Sequence, residues 1–257
     1  MFVSAITNNE HQLLGGEIIK GRIFDSKIDS KHLCETINFI VYVPANFSPL
    51  YTYMTLIALD GNDYFQFGKL PKILDELLFK QVIPNTIVIG IPYNEMKERF
   101  VRYHPSGFKH NAFIRFLGEE LVPYIDNKFP TFQIGLSRVL IGESLAGTAS
   151  LLTALTYPHT FGRVIMQSPF VNTTILKKIQ LSPSLQLPEI YHVIGNNETQ
   201  VRTTDGTICN FLLKNRLLKS ILQQKEIYYY YDEFYGDHSW IYWQADLKRA
   251  LRSMLRY

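Results

Sequence analysis

Cysteine is scarce in this chain: Cys34 and Cys209 are the only two among 257 residues. Two cysteines without metal-ligand spacing give neither a disulfide framework nor a thiolate metal centre, so both are expected to be reduced and buried. Long apolar runs are missing too. Nothing approaches the roughly 18 residues of a membrane span, and the opening MFVSAITNNEHQ lacks a basic stretch followed by an apolar one. No membrane partner and a cytoplasmic location follow as expectations. Nor does charge of one sign accumulate: the net charge is +3, and the lysines and arginines are scattered, which argues against a nucleic-acid partner. Cofactor signatures are absent as well. There is no HExxH and no GxxxxGK[ST], and the glycines near Gly15 do not form GxGxxG after a strand, so neither a metal nor an organic cofactor is expected. No fixed-period repeat, low-complexity tract or linker divides the chain, although SPSLQLP (182–188) reads as a surface loop.

What is present is a globular composition, with 46% hydrophobic, 19% charged and 14% aromatic residues. The length suits one α/β domain over residues 1–257. Alternating or β-branched segments at 17–24 and 35–43 predict an opening antiparallel pair. Short apolar runs then alternate with helical patterns: MTLIALDG, a helix near 69–81, NTIVIGIP, a helix near 111–127, SRVLIG and a helix at 144–157. RVIMQSP follows with a weak helix at 173–179, PEIYHVIG with a helix near 206–223, and EIYYYYDEF with a final helix to 255. Such alternation predicts a mostly parallel sheet with helices on both faces, whose strand ends open on one edge. The stretch between the sixth and seventh strands is about 20 residues, too short for a large cap domain.

In GESLAG (142–147) a serine sits at the seam between an apolar strand and an alanine-rich helix. Small residues there allow a tight turn that lifts the hydroxyl above the sheet, although Ala146 stands where the G-x-S-x-G pattern has glycine. A serine nucleophile needs a base, and in this architecture the chain order is serine, acid, histidine. His159, His192 and His238 follow Ser144. His192 lies within a strand and reads as a satisfied core histidine, and His159 lies about 20 Å along the helix from Ser144. His238, in FYGDHSWIYW between the last strand and the last helix, is the candidate base. The acid is expected after the penultimate strand, in GNNETQVRTTDG. Glu198 comes directly off the strand and is preferred; Asp205 reads as a helix cap and is held in reserve. Oxyanion donors are expected from the backbone of Leu145 and from the LDGND loop, where Gly61 lets the chain turn toward the pocket.

These stretches, with ERFVRYHP, AFIRFLGEELVPYIDNKF and MQSPF, span about 36–254 and resemble the serine esterase family that includes enterochelin esterases, esterase D (S-formylglutathione hydrolase) and the antigen 85 mycolyltransferases. The resemblance implies an α/β-hydrolase fold and a catalytic triad of Ser144, His238 and Glu198. It also implies an oxyanion hole at the backbone of Asn62 and Leu145. The glutamate stands where the family commonly has aspartate. Gly61, Arg102, His104 and Phe170 are substrate-binding candidates. Arg99 and Arg102 could form a cationic wall suited to acidic or catecholate acyl groups, unless they pair with Glu95 or Glu98. The expected function is hydrolysis of small or exposed esters through an acyl-enzyme. Thioester, S-formylglutathione and siderophore-ester hydrolysis are alternatives, as is a binding protein on a degenerate hydrolase scaffold. A homo-oligomer is compatible with all of them.

Overall fold

A computed structural model describes residues 19–256. The opening MFVSAITNNEHQ, Gly15, Tyr257 and the first two residues of the predicted 17–24 strand lie outside the described residues. The strands are β1 (Arg22–Ser30), β2 (Glu35–Val43), β3 (Met54–Leu59), β4 (Thr86–Ile91), β5 (Arg138–Glu143), β6 (Arg163–Gln167), β7 (Glu189–Gly195), β8 (Val201–Arg202), β9 (Ile208–Cys209) and β10 (Tyr229–Phe234). All but β8 and β9, which pair with each other, join one eight-stranded sheet in the order β1-β2-β4-β3-β5-β6-β7-β10. The β1-β2 and β2-β4 pairings are antiparallel and the others parallel. This is the α/β-hydrolase fold.

The helices are α1 (Gly61–Gln66), α2 (Leu70–Phe79), α3 (Met96–Tyr103), α4 (His110–Arg115), α5 (Val122–Lys128), α6 (Ser144–Thr156), α7 (Thr173–Leu181), α8 (Phe211–Leu222) and α9 (Trp240–Met254). They cover both faces, and the pleat explains how. Leu56 and Ala58 of β3 pack with Leu74 of α2 and Leu251 of α9, whereas Ile57 and Leu59 pack in a second cluster with Ala149 of α6 and Leu218 of α8. Strands buried on both faces have no polar alternation, which is why β3, β4, β5 and β6 are wholly buried. Between β6 and β7 lie only α7 and a short turn at Ser184–Gln186, so no cap domain covers the sheet edge there.

Several boundaries differ from expectation. The first strand starts at Arg22 and runs to Ser30, because it is an exposed edge whose register against β2 is set by pairing and little by apolar pattern. The ERFVRYHP segment, for which the alternation of strands and helices predicts no helix, carries most of α3. The helix expected from 206 starts at Phe211, capped by Asn210, whose side chain accepts from Leu213 N–H at 2.8 Å. Residues 201–209 instead form the β8-β9 hairpin. The helix expected at 111–127 is α4 and α5 joined by a π-helical turn at Phe116–Leu121; Pro123 has no N–H to donate back into that turn. Cys34 is exposed in the β1-β2 turn and Cys209 is half-buried, against the expectation of buried thiols.

Candidate active site

The carboxyl ends of the parallel strands bring four loops to one edge of the sheet. Ser144 follows β5 directly and begins α6, with φ of 50° in the left-handed region. A non-glycine residue there is strained, and the surroundings must hold it. They do so by close approach. A Cβ on Gly142 would fall 2.3 Å from the Ala146 carbonyl carbon, so strand and helix meet at contact distance only with glycine at this position. Ala146 is itself fully buried, so the elbow accommodates its methyl group. The Ser144 carbonyl accepts from Phe170 N–H at 3.0 Å, which ties the turn to the loop after β6.

His238 lies between β10 and α9, and its Nδ1 is 2.6 Å from Glu198 Oε2. Glu198 is buried on the loop after β7. Its other oxygen accepts from Ser168 Oγ at 2.5 Å and from Gly195 N–H at 2.8 Å. Ser168 Oγ accepts in turn from Trp243 Nε1 at 2.9 Å. The His238 ring is packed edge to face by Phe211 and Trp243, with centroids 4.9 and 4.8 Å away. A carboxylate accepts only, so Nδ1 of His238 is a donor, and in the neutral imidazole Nε2 keeps the lone pair. Among the described residues Ser144 and His238 share no hydrogen bond; such contacts are commonly long without substrate. Asp205 borders the same cleft as Ser144, but the His238 ring is held by Glu198 and not by Asp205. It sits in the β8-β9 turn, where Thr203, the Thr207 hydroxyl and the Thr207 N–H hydrogen-bond its carboxylate and lower its pKa to about 2.

Asn62 is in the first turn of α1 after β3, and Leu145 in the first turn of α6. Among the described residues neither N–H donates to another protein group, as expected for the orphan donors of a helix start. Gly61 permits the approach of α1 to the sheet: a Cβ would fall 2.3 Å from the Gly90 carbonyl carbon. Its role is to bring the loop close to β4. Below these donors Arg99 is buried between Asp60 and Glu143. Burial pushes the Glu143 carboxyl well above the usual carboxylate range, against the lowering influence of Arg99. Asp60, Asp63 and Glu143 offer oxygens within 4.8 Å of one another, and the positive charge among them is the Arg99 guanidinium.

A small solvent-open cleft adjoins Ser144, walled by Phe100, His104, Leu145, Phe170 and Phe211 on one side and by Thr203, Thr204 and Asp205 on the other. His104 stacks on Phe100 with centroids 4.5 Å apart and tilts toward Phe170 at 5.2 Å. Burial lowers the His104 pKa, opposed by the Asp205 charge. The expected cationic wall does not form. Arg102 is buried away from the cleft, with its guanidinium 2.5 Å from Glu98 and 3.0 Å from Glu35, and Arg99 is committed to Asp60 and Glu143. Charges this deeply paired have none left for substrate. His192 is also fully internal, with Nδ1 2.9 Å from Tyr229 Oη and Nε2 2.7 Å from Asn215 Oδ1.

The Esterase family, whose description reads "Putative esterase", matches residues 30–254. The chain belongs to this esterase family. It is similar to YjcH, an uncharacterized protein of Bacillus subtilis (strain 168), with 47% identity over 235 residues, covering 91% of this chain and 98% of YjcH. Among solved structures, a ferulic acid esterase superposes with a TM-score of 0.75 at 16% identity, over 92% of this chain and 99% of that one. The enterochelin esterase of Shigella flexneri superposes with a TM-score of 0.76 at 18% identity, over 92% of this chain and 58% of that longer one. At these identities the superpositions establish the α/β-hydrolase fold.

Sequence reasoning about this esterase missed Ser168, Trp243, Phe100 and Phe211. Ser168 stood in the quoted MQSPF at the end of β6, and its place at the same sheet edge was the available signal. Trp243 lies five residues after His238, one helical turn into α9, where an indole N–H can reach back to the loop. Phe100 lies on α3, a helix that the sequence pattern does not announce. Among the described residues no helix is long and apolar enough to cross a membrane.

Proposed function

We propose that this esterase is a serine carboxylic-ester hydrolase in which Ser144 is the nucleophile, His238 the base and Glu198 the residue that orients the imidazole. The observation that carries the reading is the 2.6 Å contact between His238 Nδ1 and the buried Glu198 carboxylate, at the sheet edge where Ser144 is held at φ 50°. With Nδ1 protonated, His238 Nε2 takes the Ser144 proton as Oγ attacks the ester carbonyl. The N–H groups of Asn62 and Leu145 receive the developing oxyanion. The alcohol leaves with the proton from His238, and water repeats the sequence on the acyl-enzyme.

The cleft beside Ser144 is small and open, and its rings, faced by Thr203, Thr204 and Asp205, suit a short or flat group. Small or exposed esters are therefore the proposed substrates, with His104 and Phe170 as contacts. Relative rates on matched oxygen and thio esters decide which leaving atom the site prefers, and siderophore esters belong in the same panel.

The test is labelling with a fluorophosphonate, followed by mass mapping of the modified peptide. Label on Ser144, lost in Ser144→Ala together with ester turnover, is the expected result. A folded protein that takes no label would overturn the assignment and leave a binding scaffold.

A further inference from the structure

We propose that Arg99 is a positioning residue for the oxyanion hole: its guanidinium bridges Asp60 and Glu143, and so fixes the two backbone limbs carrying the Asn62 and Leu145 N–H donors. The inference rests on the reading of Ser144 as nucleophile and adds to it a device that sets the hole's geometry.

Asp60 and Glu143 occupy equivalent places. Each is the residue immediately before a turn into a helix: Asp60 before α1, which carries Asn62, and Glu143 before Ser144 and α6, which carries Leu145. Both turns are strained, with φ of 57° at Asp60 and 50° at Ser144. Strained residues keep their geometry only where neighbours over-determine it. Arg99, from α3, supplies that restraint to both. Its Nε donates to Asp60 Oδ2 at 2.7 Å. Its second terminal nitrogen (Nη2) lies 2.6 Å from the same oxygen, 2.6 Å from Glu143 Oε1 and 3.3 Å from the Glu143 carbonyl. Tyr103, one turn along α3, accepts from Asp60 N–H at 3.3 Å.

The cluster is poorly explained as a stabilising device. The three side chains are 7%, 0% and 6% exposed, and buried ion pairs recover their desolvation cost only marginally. What a guanidinium offers over an apolar filler is a rigid planar fork that sets direction as well as distance. Burial holds the Glu143 carboxyl well above the usual carboxylate range, and Asp60 Oδ1 has no hydrogen-bond partner among the described residues, so the Arg99 fork is the link that the two acids share. Two oxyanion donors on separate loops need such a link, because an error of about 1 Å in a catalytic group can cost roughly 100-fold in rate.

The experiment compares Arg99→Lys, Glu143→Leu and Glu143→Gln in the full chain. It uses a 4-nitrophenyl ester for turnover and phenylboronic acid as a probe whose tetrahedral adduct puts an oxygen in the oxyanion position. Arg99→Lys keeps the charge and loses the fork, and is expected to lower kcat by roughly 10- to 100-fold with KM within about threefold. The Ki of the boronic acid should rise in parallel, while the pH profile of kcat/KM keeps its midpoint because the His238–Glu198 pair is untouched. If Arg99→Lys does not fold, Glu143→Leu carries the test, since Arg99 stays neutralised by Asp60. It should show the same split, and Glu143→Gln, which restores a polar acceptor, should recover most of the loss. Folded variants with wild-type kcat and boronate affinity overturn the proposal alone, as does a fall in kcat that leaves boronate affinity unchanged. A wild-type protein with no fluorophosphonate label on Ser144 overturns it together with the reading beneath it.

Discussion

Replacing Glu198 by glutamine changes one atom in the site, and the structure dictates which way the new amide must face. Glu198 Oε1 accepts from Ser168 Oγ and from Gly195 N–H; the serine hydroxyl can rotate to accept instead, whereas the backbone N–H can only donate. An amide nitrogen in that place would confront the Gly195 N–H, and a buried donor left unpaired costs about 1–3 kcal/mol. The glutamine carbonyl therefore stays there, and its NH2 takes the place of Oε2, 2.6 Å from His238 Nδ1. A donor facing Nδ1 forces the ring proton onto Nε2, the nitrogen that receives the serine proton in the proposed mechanism. The analogous tautomer error in a serine-protease triad lowers kcat by about 10⁴, or about 5 kcal/mol of barrier. Glu198→Gln should accordingly lose roughly 10³- to 10⁴-fold in kcat on 4-nitrophenyl acetate, with KM within about threefold. Asp205→Asn, altered in an exposed turn, should keep kcat within about threefold. A Glu198→Gln enzyme retaining a tenth of wild-type kcat, or an Asp205→Asn enzyme that loses a thousandfold, refutes the reasoning.

Gly142→Ala should destabilise the fold by about 3 kcal/mol or more, because the new methyl meets helix backbone at 2.3 Å and no flexible side chain can yield; a urea midpoint matching the parent's contradicts that. His192 gives a pH prediction. Burial lowers its pKa to about 4, so it folds neutral, and the unfolded chain takes up a proton first as pH falls below its unfolded value of about 6.5. Its stabilising contribution is therefore complete above that value and is lost on acidification toward pH 4. The stability advantage of the parent over His192→Gln should shrink by about 3 kcal/mol between pH 7 and pH 4. Parallel stability curves for the two proteins across that range would disprove it.

The parts of the fold legible in the sequence are those that burial dictates. β3, β4, β5 and β6 are covered on both faces, and an unbroken apolar run follows directly from that. β1 is an exposed edge strand, held by pairing with β2, and a pairing partner leaves little trace in local composition. In α3 only Arg99, Arg102 and Tyr103 are buried, so its inward face is itself polar and the segment has no apolar stripe to announce a helix. Asp205 and Asn210 both resemble helix caps, and only packing distinguishes the turn residue from the cap. At the site, chain order and strand ends led to Ser144, Glu198 and His238, and the structure places Glu198 against His238 Nδ1. The partners of Arg99 were not legible, because Asp60 and Glu143 lie 39 and 44 residues away in sequence. A local reading pairs an arginine with the nearest acid, which is correct for Arg102 with Glu98 and wrong for Arg99.

The short connection between β6 and β7 bears on the fate of the acyl group that the proposed mechanism places on Ser144. With only α7 and one turn in that stretch, substrate entry needs no hinge motion, so turnover should show no lag and no activation at an oil-water interface. In the proposed mechanism an acyl group on Ser144 would sit in a cleft open to solvent. Water, by its sheer concentration, then competes against any added alcohol for the carbonyl carbon, and the partition between hydrolysis and transfer is tilted toward hydrolysis by the shape of the protein around the serine.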